Sequence, residues 1–294
     1  MSMNIVDHDD IFSAEGSAPG LSVLIVGGTH GNERTGIEIV KQLREDLRSG
    51  KRSVSAGTLT LILANQMAIA ENVRAVGGRD MNRLYSAEAR AHDNGSYEFR
   101  RTITIAEYIR HADVVIDIHA MNIPSIPFVA SKNDQAHQNV FRWFEPKNVL
   151  IDPQYIFGGG VPVATDEYAD SLGKVGLCFE AGWVGDAAIF PAIMESTIRY
   201  ITDVGIFSGE KVSPPEFDGA MYEILEAVLR DDRSFVFADN RGTSSFDPIR
   251  RGDLIGHCGQ DAVFAPCDGI IVFPVLPEHQ TVGKPVCYLA KRVK

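Results

Sequence analysis

Short apolar runs alternate with amphipathic stretches through the first two thirds of the chain, and this alternation restricts the fold more than any other feature. Four runs rich in branched apolar residues have the length of a buried strand: Leu21–Val26, Thr58–Ala64, Val114–Ile118 and Val175–Phe179. Buried strands separated by segments of helical period are typical of a largely parallel sheet flanked by helices. We therefore expect an α/β fold.

The segments predicted as helices are Glu33–Leu47, Tyr97–Ile109 and Ala187–Ile201. In the second of these, apolar residues recur at three- and four-residue steps. That spacing predicts a buried helix face made of Phe99, Ile103, Ala106 and Ile109.

The pattern changes after about Ser208. Pro214-Pro215 interrupts the chain, helical period fades after Val228, and short apolar runs separated by Gly and Pro follow. We expect a larger domain over residues 1–207 and a smaller, β-rich domain over residues 208–294.

The charge balance argues against polyanionic partners. With 28 basic and 39 acidic side chains, the formal net charge is -11, which repels phosphate backbones and anionic membrane surfaces. We expect neither a nucleic-acid partner nor a membrane partner. The four cysteines lack C-x-x-C spacing, and the N-terminus lacks a basic segment followed by an apolar run. These features predict free thiols and a cytoplasmic location.

Polar residues stand where three of the predicted strands end. His30 and Glu33 follow the first strand, His119 follows the strand at Val114, and Glu180 follows the strand at Val175. Because the carboxyl ends of neighbouring parallel strands meet at one edge of a sheet, we expect these side chains to face one crevice.

Two imidazoles and one carboxylate make a ligand set that suits zinc. A His2Glu set leaves a fourth position open, which is typical of catalytic zinc. Single histidines at strand ends are more often structural, but His30, Glu33 and His119 together predict one zinc ion per chain. Asp117, two residues before His119, is a candidate to orient an imidazole. The remaining histidines lie in polar segments and are expected to be solvated: His8, His92, His111, His137, His257 and His279.

Hydrolysis at a zinc site also needs a base for the attacking water. Glu180 is the candidate, because it follows an apolar run and precedes the small residues Ala181-Gly182. Burial there would raise the pKa of its carboxyl group toward a useful range. The alternative is that Glu180 pairs with a surface arginine.

A cluster of guanidinium groups in an otherwise acidic chain predicts an anionic substrate. Arg74, Arg79 and Arg83 lie within ten residues of one another around the Gly77-Gly78 turn. Arginine suits bidentate binding of carboxylates and can stabilise an oxyanion. The alternative for Arg79 is a loop ion pair with Asp80. Gly-containing connections such as Gly77-Gly78 and residues 158–160 are also candidates for mobile loops.

Five motifs resemble the aspartoacylase and succinylglutamate desuccinylase family, whose catalytic domain is similar to that of zinc carboxypeptidases. The motifs are Gly27–Gly36, Arg79–Arg83, Tyr97–Arg101, Asp117–His119 and Phe179–Gly182. The resemblance implies a zinc carboxypeptidase-like mixed sheet flanked by helices, with a smaller β-rich C-terminal domain. It also implies that His30, Glu33 and His119 hold the zinc and that Glu180 is the general acid/base.

By the same resemblance, Arg74 would polarise the scissile carbonyl, while Asn82 and Arg83 would bind a substrate carboxylate. The implied activity is the zinc-dependent removal of an acyl group from a small anionic N-acyl amino acid. One departure is that aspartoacylases place a further substrate-binding arginine shortly before the catalytic glutamate, where this chain reads Glu167-Tyr168-Ala169-Asp170.

Two other functions stay open at this point. A zinc carboxypeptidase acting on short peptides would use the same ligand set, and a metal-dependent binding module would keep the ligands without turnover. The presence of Glu180 argues against the binding module. The acyl group, the amino acid and the oligomeric state, including a homo-oligomer, are left open by the sequence.

Overall fold

The structure is a computed structural model that describes residues 4–87, 91 and 95–293. Its helices are α1 (Arg34–Arg48), α2 (Gln66–Glu71), α3 (Tyr97–His111), α4 (Gln135–Phe141), α5 (Thr165–Ser171) and α6 (Phe190–Asp203). Its strands are β1 (Asn4–Asp7), β2 (Ile11–Glu15), β3 (Ala18–Gly27), β4 (Ala56–Leu63), β5 (Val114–Met121), β6 (Phe128–Ser131), β7 (Asn148–Ile151), β8 (Val175–Trp183), β9 (Ala220–Leu229), β10 (Phe235–Phe237), β11 (Asp247–Ile249), β12 (Leu254–Cys258), β13 (Asp261–Phe264), β14 (Gly269–Val272) and β15 (Pro285–Arg292). The four predicted strands and three predicted helices are all present.

Twelve strands form one mixed sheet in the order β1-β2-β4-β3-β5-β8-β6-β7-β9-β15-β14-β11. The centre is parallel, because β4, β3, β5 and β8 run in the same direction, while β6 is antiparallel to β8. This architecture confirms the predicted α/β fold with a mixed sheet, flanking helices and a β-rich C-terminal part.

The C-terminal strands extend the same sheet. β9 pairs in parallel with β7, and β15, β14 and β11 follow it, whereas β10, β12 and β13 make a separate three-stranded sheet. The division into domains 1–207 and 208–294 stays a prediction.

The central strands are buried on both faces, which explains their continuous apolar sequence. In β3, Val23 and Ile25 join one hydrophobic cluster with α1, while Leu24 and Val26 join a second cluster on the opposite face with α3. The sheet is therefore the middle layer of a three-layer arrangement, and its carboxyl edge is fixed from both sides.

Helix α3 is present as predicted, but its buried face differs. Ile103 is 43% exposed, whereas Glu98 and Thr102 are fully buried beside Ile105 and Ile109. The expected face was wrong at Ile103 because apolar periodicity treats polar residues as solvent-facing. Both buried polar positions lie in the first half of the helix, where Glu98 accepts backbone hydrogen bonds from the loop at Val76 and Gly77 and Thr102 donates to Phe99 within the helix.

The four cysteines are free of disulfides, as predicted: Cys178, Cys258, Cys267 and Cys287. None of the helices within residues 4–87, 91 and 95–293 has the length and apolar character that crossing a bilayer requires.

His137 is not solvated, contrary to expectation. It is 3% exposed, with Nδ1 located 2.7 Å from Asp134 Oδ1 and Nε2 located 2.8 Å from Asp170 Oδ1. The two carboxylates outweigh the effect of burial and raise the pKa of His137. Of the other histidines expected to be solvated, His8, His111 and His279 are exposed, His257 is half-buried, and His92 lies outside the described residues.

We expect His137→Ala to lower the free energy of unfolding by about 2 kcal/mol near pH 6, because it removes two hydrogen bonds to charged groups. The folded-state pKa of His137 is raised, so its contribution is complete below the ordinary histidine pKa and is lost as the pH rises through the raised value. Urea unfolding of both proteins at several pH values measures this difference. The exposed His111→Ala serves as the control, and a difference between wild type and His137→Ala that grows with pH would contradict the assignment.

Candidate metal centre and active site

His30 and Glu33 come from the loop between β3 and α1. The loop folds back on itself, so that the backbone N–H of Glu33 donates to the carbonyl of His30 at 3.2 Å. Gly28 adopts a φ of +72°, and a Cβ on Gly31 would lie 2.0 Å from the backbone of Ala68 in α2. Glycine at these positions lets the loop turn sharply and approach α2 closely.

His119 and Glu180 come from neighbouring parallel strands. They are in register with each other across β5 and β8. They lie within these strands rather than after them, because the strands continue to Met121 and Trp183. β6 prolongs β8 by pairing Phe128 opposite Glu180. The expected crevice at the carboxyl edge is therefore present, with the strands slightly longer than predicted.

Three candidate ligand residues converge in a buried space at this edge. Glu33 Oε1 lies 2.7 Å from Nδ1 of His30, and Glu33 Oε2 lies 3.0 Å from Nδ1 of His119. The two Nδ1 atoms are 3.3 Å apart. All three residues are at most 3% exposed, and their donor atoms lie within 4.8 Å of one another.

The opposite nitrogen of each imidazole faces an aspartate. Nε2 of His30 lies 2.9 Å from Asp80 Oδ1, and Nε2 of His119 lies 3.0 Å from Asp117 Oδ2. Thr29 donates to both oxygens of Asp117 and holds that carboxylate in place. This pairing is the usual environment of metal-binding histidines, because the carboxylate fixes the tautomer.

The arrangement fits a cation. If Nε2, the nitrogen beside the aspartate, carries the proton of each imidazole, then both Nδ1 atoms present lone pairs toward the Glu33 carboxylate. Lone pairs from two imidazoles and a carboxylate repel one another at these distances unless a proton or a metal ion lies between them. The surrounding carboxylates overcome burial and raise the pKa of both His30 and His119, so the local field attracts positive charge.

Glu180 stands beside this cluster as a buried carboxyl group. It is 8% exposed, and its Oε2 makes no hydrogen bond to any residue that the structure describes. Burial raises its pKa to about 7, against the attraction of His119 and with a further contribution from the charge of Glu33. A carboxyl group with this pKa can both accept and donate a proton near neutral pH. The alternative pairing with a surface arginine is not what the structure shows.

Arg74 reaches the cluster from the loop after α2. Its Nη1 lies 3.2 Å from Glu33 Oε1 and its Nη2 lies 2.9 Å from Asp80 Oδ2. The side chain is 45% exposed, so the guanidinium spans the boundary between the ligand cluster and solvent. This position allows Arg74 to donate to a molecule bound at the cluster.

Asn82 and Arg83 lie in the short helical turn Met81–Arg83. Oδ1 of Asn82 accepts hydrogen bonds from the backbone and side chain of Thr165 at 2.9 and 3.1 Å. That leaves Nδ2, a donor, as the group of Asn82 suited to an anion. Tyr288 of β15 lies near Arg83: burial raises the pKa of Tyr288, and the charge of the Arg83 guanidinium lowers it in part. The C-terminal part of the chain therefore comes close to the predicted substrate arginine.

Two contacts of the site were not expected from the sequence. Asp80, considered earlier as an ion-pair partner of Arg79, instead binds His30 and Arg74. Tyr288 comes from a distant strand, and no motif marks it. Arg79 is exposed in the loop, and its role in substrate binding stays a prediction.

These features define an α/β protein with a candidate mononuclear metal centre at the carboxyl edge of its sheet. Residues 19–204 match the succinylglutamate desuccinylase/aspartoacylase catalytic domain. The chain belongs to this family.

Curated relatives agree with this placement. The chain is 36% identical over 252 residues to a succinylglutamate desuccinylase from Yersinia pseudotuberculosis, covering 80% of this chain and 73% of that protein. It is 30% identical over 186 residues to a probable aspartoacylase from Nostoc, covering 61% of each. An N-acyl-aromatic-L-amino acid amidohydrolase from Xenopus laevis is 29% identical over 177 residues, covering 56% of each. The match thus spans only about three fifths of the length of these last two relatives.

Solved structures show the same fold. The succinylglutamate desuccinylase from Vibrio parahaemolyticus superposes with a TM-score of 0.82, covering 99% of this chain and 89% of that chain at 17% identity. The ectoine utilization protein EutE from Ruegeria pomeroyi superposes with a TM-score of 0.68, covering 98% of each chain at 17% identity. Identities this low establish the architecture alone.

If the centre holds the zinc ion predicted from the sequence, we expect Asp117→Asn to weaken its binding by about 10- to 100-fold, because an amide holds the His119 imidazole less firmly than a carboxylate. Competition with a chromophoric chelator measures the affinity. Asp113→Asn is the matched control, because Asp113 precedes the opposite end of β5 and accepts a hydrogen bond from Ser22. Equal zinc affinity in wild type and Asp117→Asn would show that Asp117 does not support the ligand.

Proposed function

We propose that the chain is a zinc-dependent amidohydrolase that removes an acyl group from a small, anionic N-acyl amino acid. The observation that carries the proposal is the buried His30, Glu33 and His119 donor set with the Glu180 carboxyl group beside it. The named activities of the relatives, a desuccinylase and an N-acyl amino acid amidohydrolase, support the same class of reaction.

Zinc held by these residues would supply Lewis acidity toward the acyl carbonyl and lower the pKa of water. In this proposal Glu180 takes a proton from the attacking water and returns it to the departing amine nitrogen. Its raised pKa suits both steps, although a nearby cation would lower that pKa.

The arginines bind and stabilise anionic groups in the proposed reaction. Arg74 donates to the acyl oxygen as negative charge develops there, from its position beside Glu33. Arg83 and Nδ2 of Asn82 bind the carboxylate of the amino acid, with Arg79 as a further candidate from the same loop.

The proximity of Tyr288 to Arg83 favours small substrates. Tyr288 belongs to β15, so the C-terminal strands stand next to the arginine proposed to bind the substrate carboxylate. A long peptide bound at Arg83 would have to extend past these strands, whereas an acylated amino acid would not. The zinc carboxypeptidase alternative is therefore the less favoured one.

A substrate panel tests the proposal. Zinc-loaded protein is incubated with acetyl, succinyl and formyl derivatives of acidic and neutral amino acids and with short peptides, and the released amine is measured. We expect release from at least one acylated amino acid and little cleavage of peptides. Cleavage of peptides alone would support the carboxypeptidase, and inactivity on the whole panel would support a binding module.

We expect Glu180→Gln to lower kcat by about 10²- to 10⁴-fold, because the amide cannot accept the proton of the attacking water. Zinc content should be unchanged, since Glu180 is not one of the three proposed ligands. Steady-state kinetics and metal analysis measure both quantities, with the exposed Glu195→Gln of α6 as control. A Glu180→Gln variant with normal kcat would remove the proposed base.

Substitutions of Arg83 and Arg74 should change different kinetic constants. We expect Arg83→Met to raise KM by about 10-fold or more with a smaller change in kcat, and Arg74→Met to lower kcat chiefly. The reason is that Arg83 binds a group that does not react, whereas Arg74 acts on the reacting carbonyl. Arg110→Met, which removes an arginine that pairs with Glu107 at the surface, is the control. The reverse pattern would exchange the two assignments.

A further inference from the structure

Glu98 is a buried carboxylate outside the ligand cluster. It lies in the first turn of α3 and is 0% exposed. A buried carboxylate is costly unless its oxygens are hydrogen-bonded. Its Oε1 accepts two backbone hydrogen bonds, from the N–H of Val76 at 2.8 Å and the N–H of Gly77 at 3.1 Å.

Both donors belong to the loop that carries Arg74 and Asp80. The start of this loop is tied to α2 by the N–H of Val73, which donates to the carbonyl of Ala68. Its end enters the helical turn that begins after Asp80. Between these points, the backbone N–H groups of Val76 and Gly77 donate to the Glu98 side chain rather than to a backbone carbonyl. One side chain on α3 therefore accepts the backbone hydrogen bonds that a neighbouring strand or helix turn would otherwise accept.

Glu98 and the loop approach each other closely at Gly77. A Cβ on Gly77 would lie 2.8 Å from Oε2 of Glu98, so a larger residue there would displace the end of the Glu98 side chain. Oε2 is buried and has no hydrogen-bond partner among residues 4–87, 91 and 95–293. The Gly77-Gly78 turn, a candidate mobile loop from the sequence, is hydrogen-bonded to α3 at Gly77.

The anchor lies within three residues of both side chains that reach the ligand cluster. Arg74 precedes Val76 by two positions and contacts Glu33, while Asp80 follows Gly77 by three positions and contacts His30. A shift of the loop backbone would therefore move the guanidinium of Arg74 and the carboxylate of Asp80 together.

We infer that Glu98 is a positioning residue, which fixes the loop and thereby sets where Arg74 meets the substrate carbonyl. This inference rests on the proposed function, because it assigns Glu98 to the support of Arg74 in the proposed reaction. The hydrogen-bond acceptor Oε1 is the part of Glu98 that the loop uses.

The first test does not depend on turnover. Hydrogen exchange of the Val76 and Gly77 amides is measured in wild type, Glu98→Ala, Glu98→Gln and Thr102→Val. Thr102 is the matched control, because it is equally buried one turn further along α3 and donates only within its own helix, to Phe99 at 2.8 Å. We expect exchange to be about 10-fold faster or more in Glu98→Ala, and near wild type in the other two variants. Unchanged protection in Glu98→Ala would overturn the inference, even for a chain without deacylase activity.

The second test asks whether Glu98 acts through Arg74. On an N-acyl amino acid that wild type hydrolyses, we expect Glu98→Ala to lower kcat by about 10-fold or more, with Glu98→Gln restoring most of it. In an Arg74→Met background, the same Glu98→Ala change should cost much less, because the residue being positioned is already gone. If Glu98→Ala lowered kcat by the same factor in the Arg74→Met background as in wild type, the inference would be overturned. It would also be overturned if Glu98→Gln lowered kcat as much as Glu98→Ala.

The two tests separate this inference from the proposed function. If wild type hydrolyses no acylated amino acid, the proposed function fails while the exchange experiment still decides whether Glu98 holds the loop. If wild type is active and the loop is unaffected by Glu98→Ala, the proposed function stands and the positioning role falls.

Discussion

The contact on which the site depends is the position of the Glu33 carboxylate between two imidazole nitrogens. Its oxygens lie 2.7 and 3.0 Å from Nδ1 of His30 and of His119, in a space that excludes solvent. Such a contact is stable only if positive charge is shared among the three groups. The neighbouring residues meet this requirement. Asp80 and Asp117 each lie beside Nε2 of one imidazole, which leaves the two Nδ1 atoms available to a cation.

Much of this site could be predicted because it is built from short-range geometry. His30 and Glu33 share one loop, and a strand–turn–helix pattern is sufficient to place that loop at the carboxyl edge of the sheet. His119 and Glu180 lie on strands whose apolar sequence indicates that they are buried and parallel. The two residues are opposite each other because these strands are neighbours in the sheet. The same reasoning led to Asp117, because alternate residues of a strand share one face.

The rest of the site depends on contacts that no local pattern encodes. Asp80 reaches His30 from a loop without regular structure, and Tyr288 reaches Arg83 from a strand near the end of the chain. Helical periodicity favoured Ile103 as a core residue, yet α3 buries Glu98 and Thr102. Periodicity assumes that burial means contact with apolar side chains, and it fails where a helix packs against backbone N–H groups instead.

The charges around the cluster also link metal binding to proton transfer. Glu33, Asp80, Asp117 and Glu180 contribute four carboxyl groups to a small volume, and Arg74 offsets only part of this charge from its half-exposed position. Burial and the charge of Glu33 raise the pKa of Glu180 to about 7, so that group carries a proton in a large fraction of the molecules near neutral pH. A divalent cation bound by His30, Glu33 and His119 would lower that pKa and leave Glu180 ionised. The residues that bind the metal would thereby also put the neighbouring carboxylate in the form that can accept a proton. Glu180 in its buried position would therefore act as a base when the metal ion is bound.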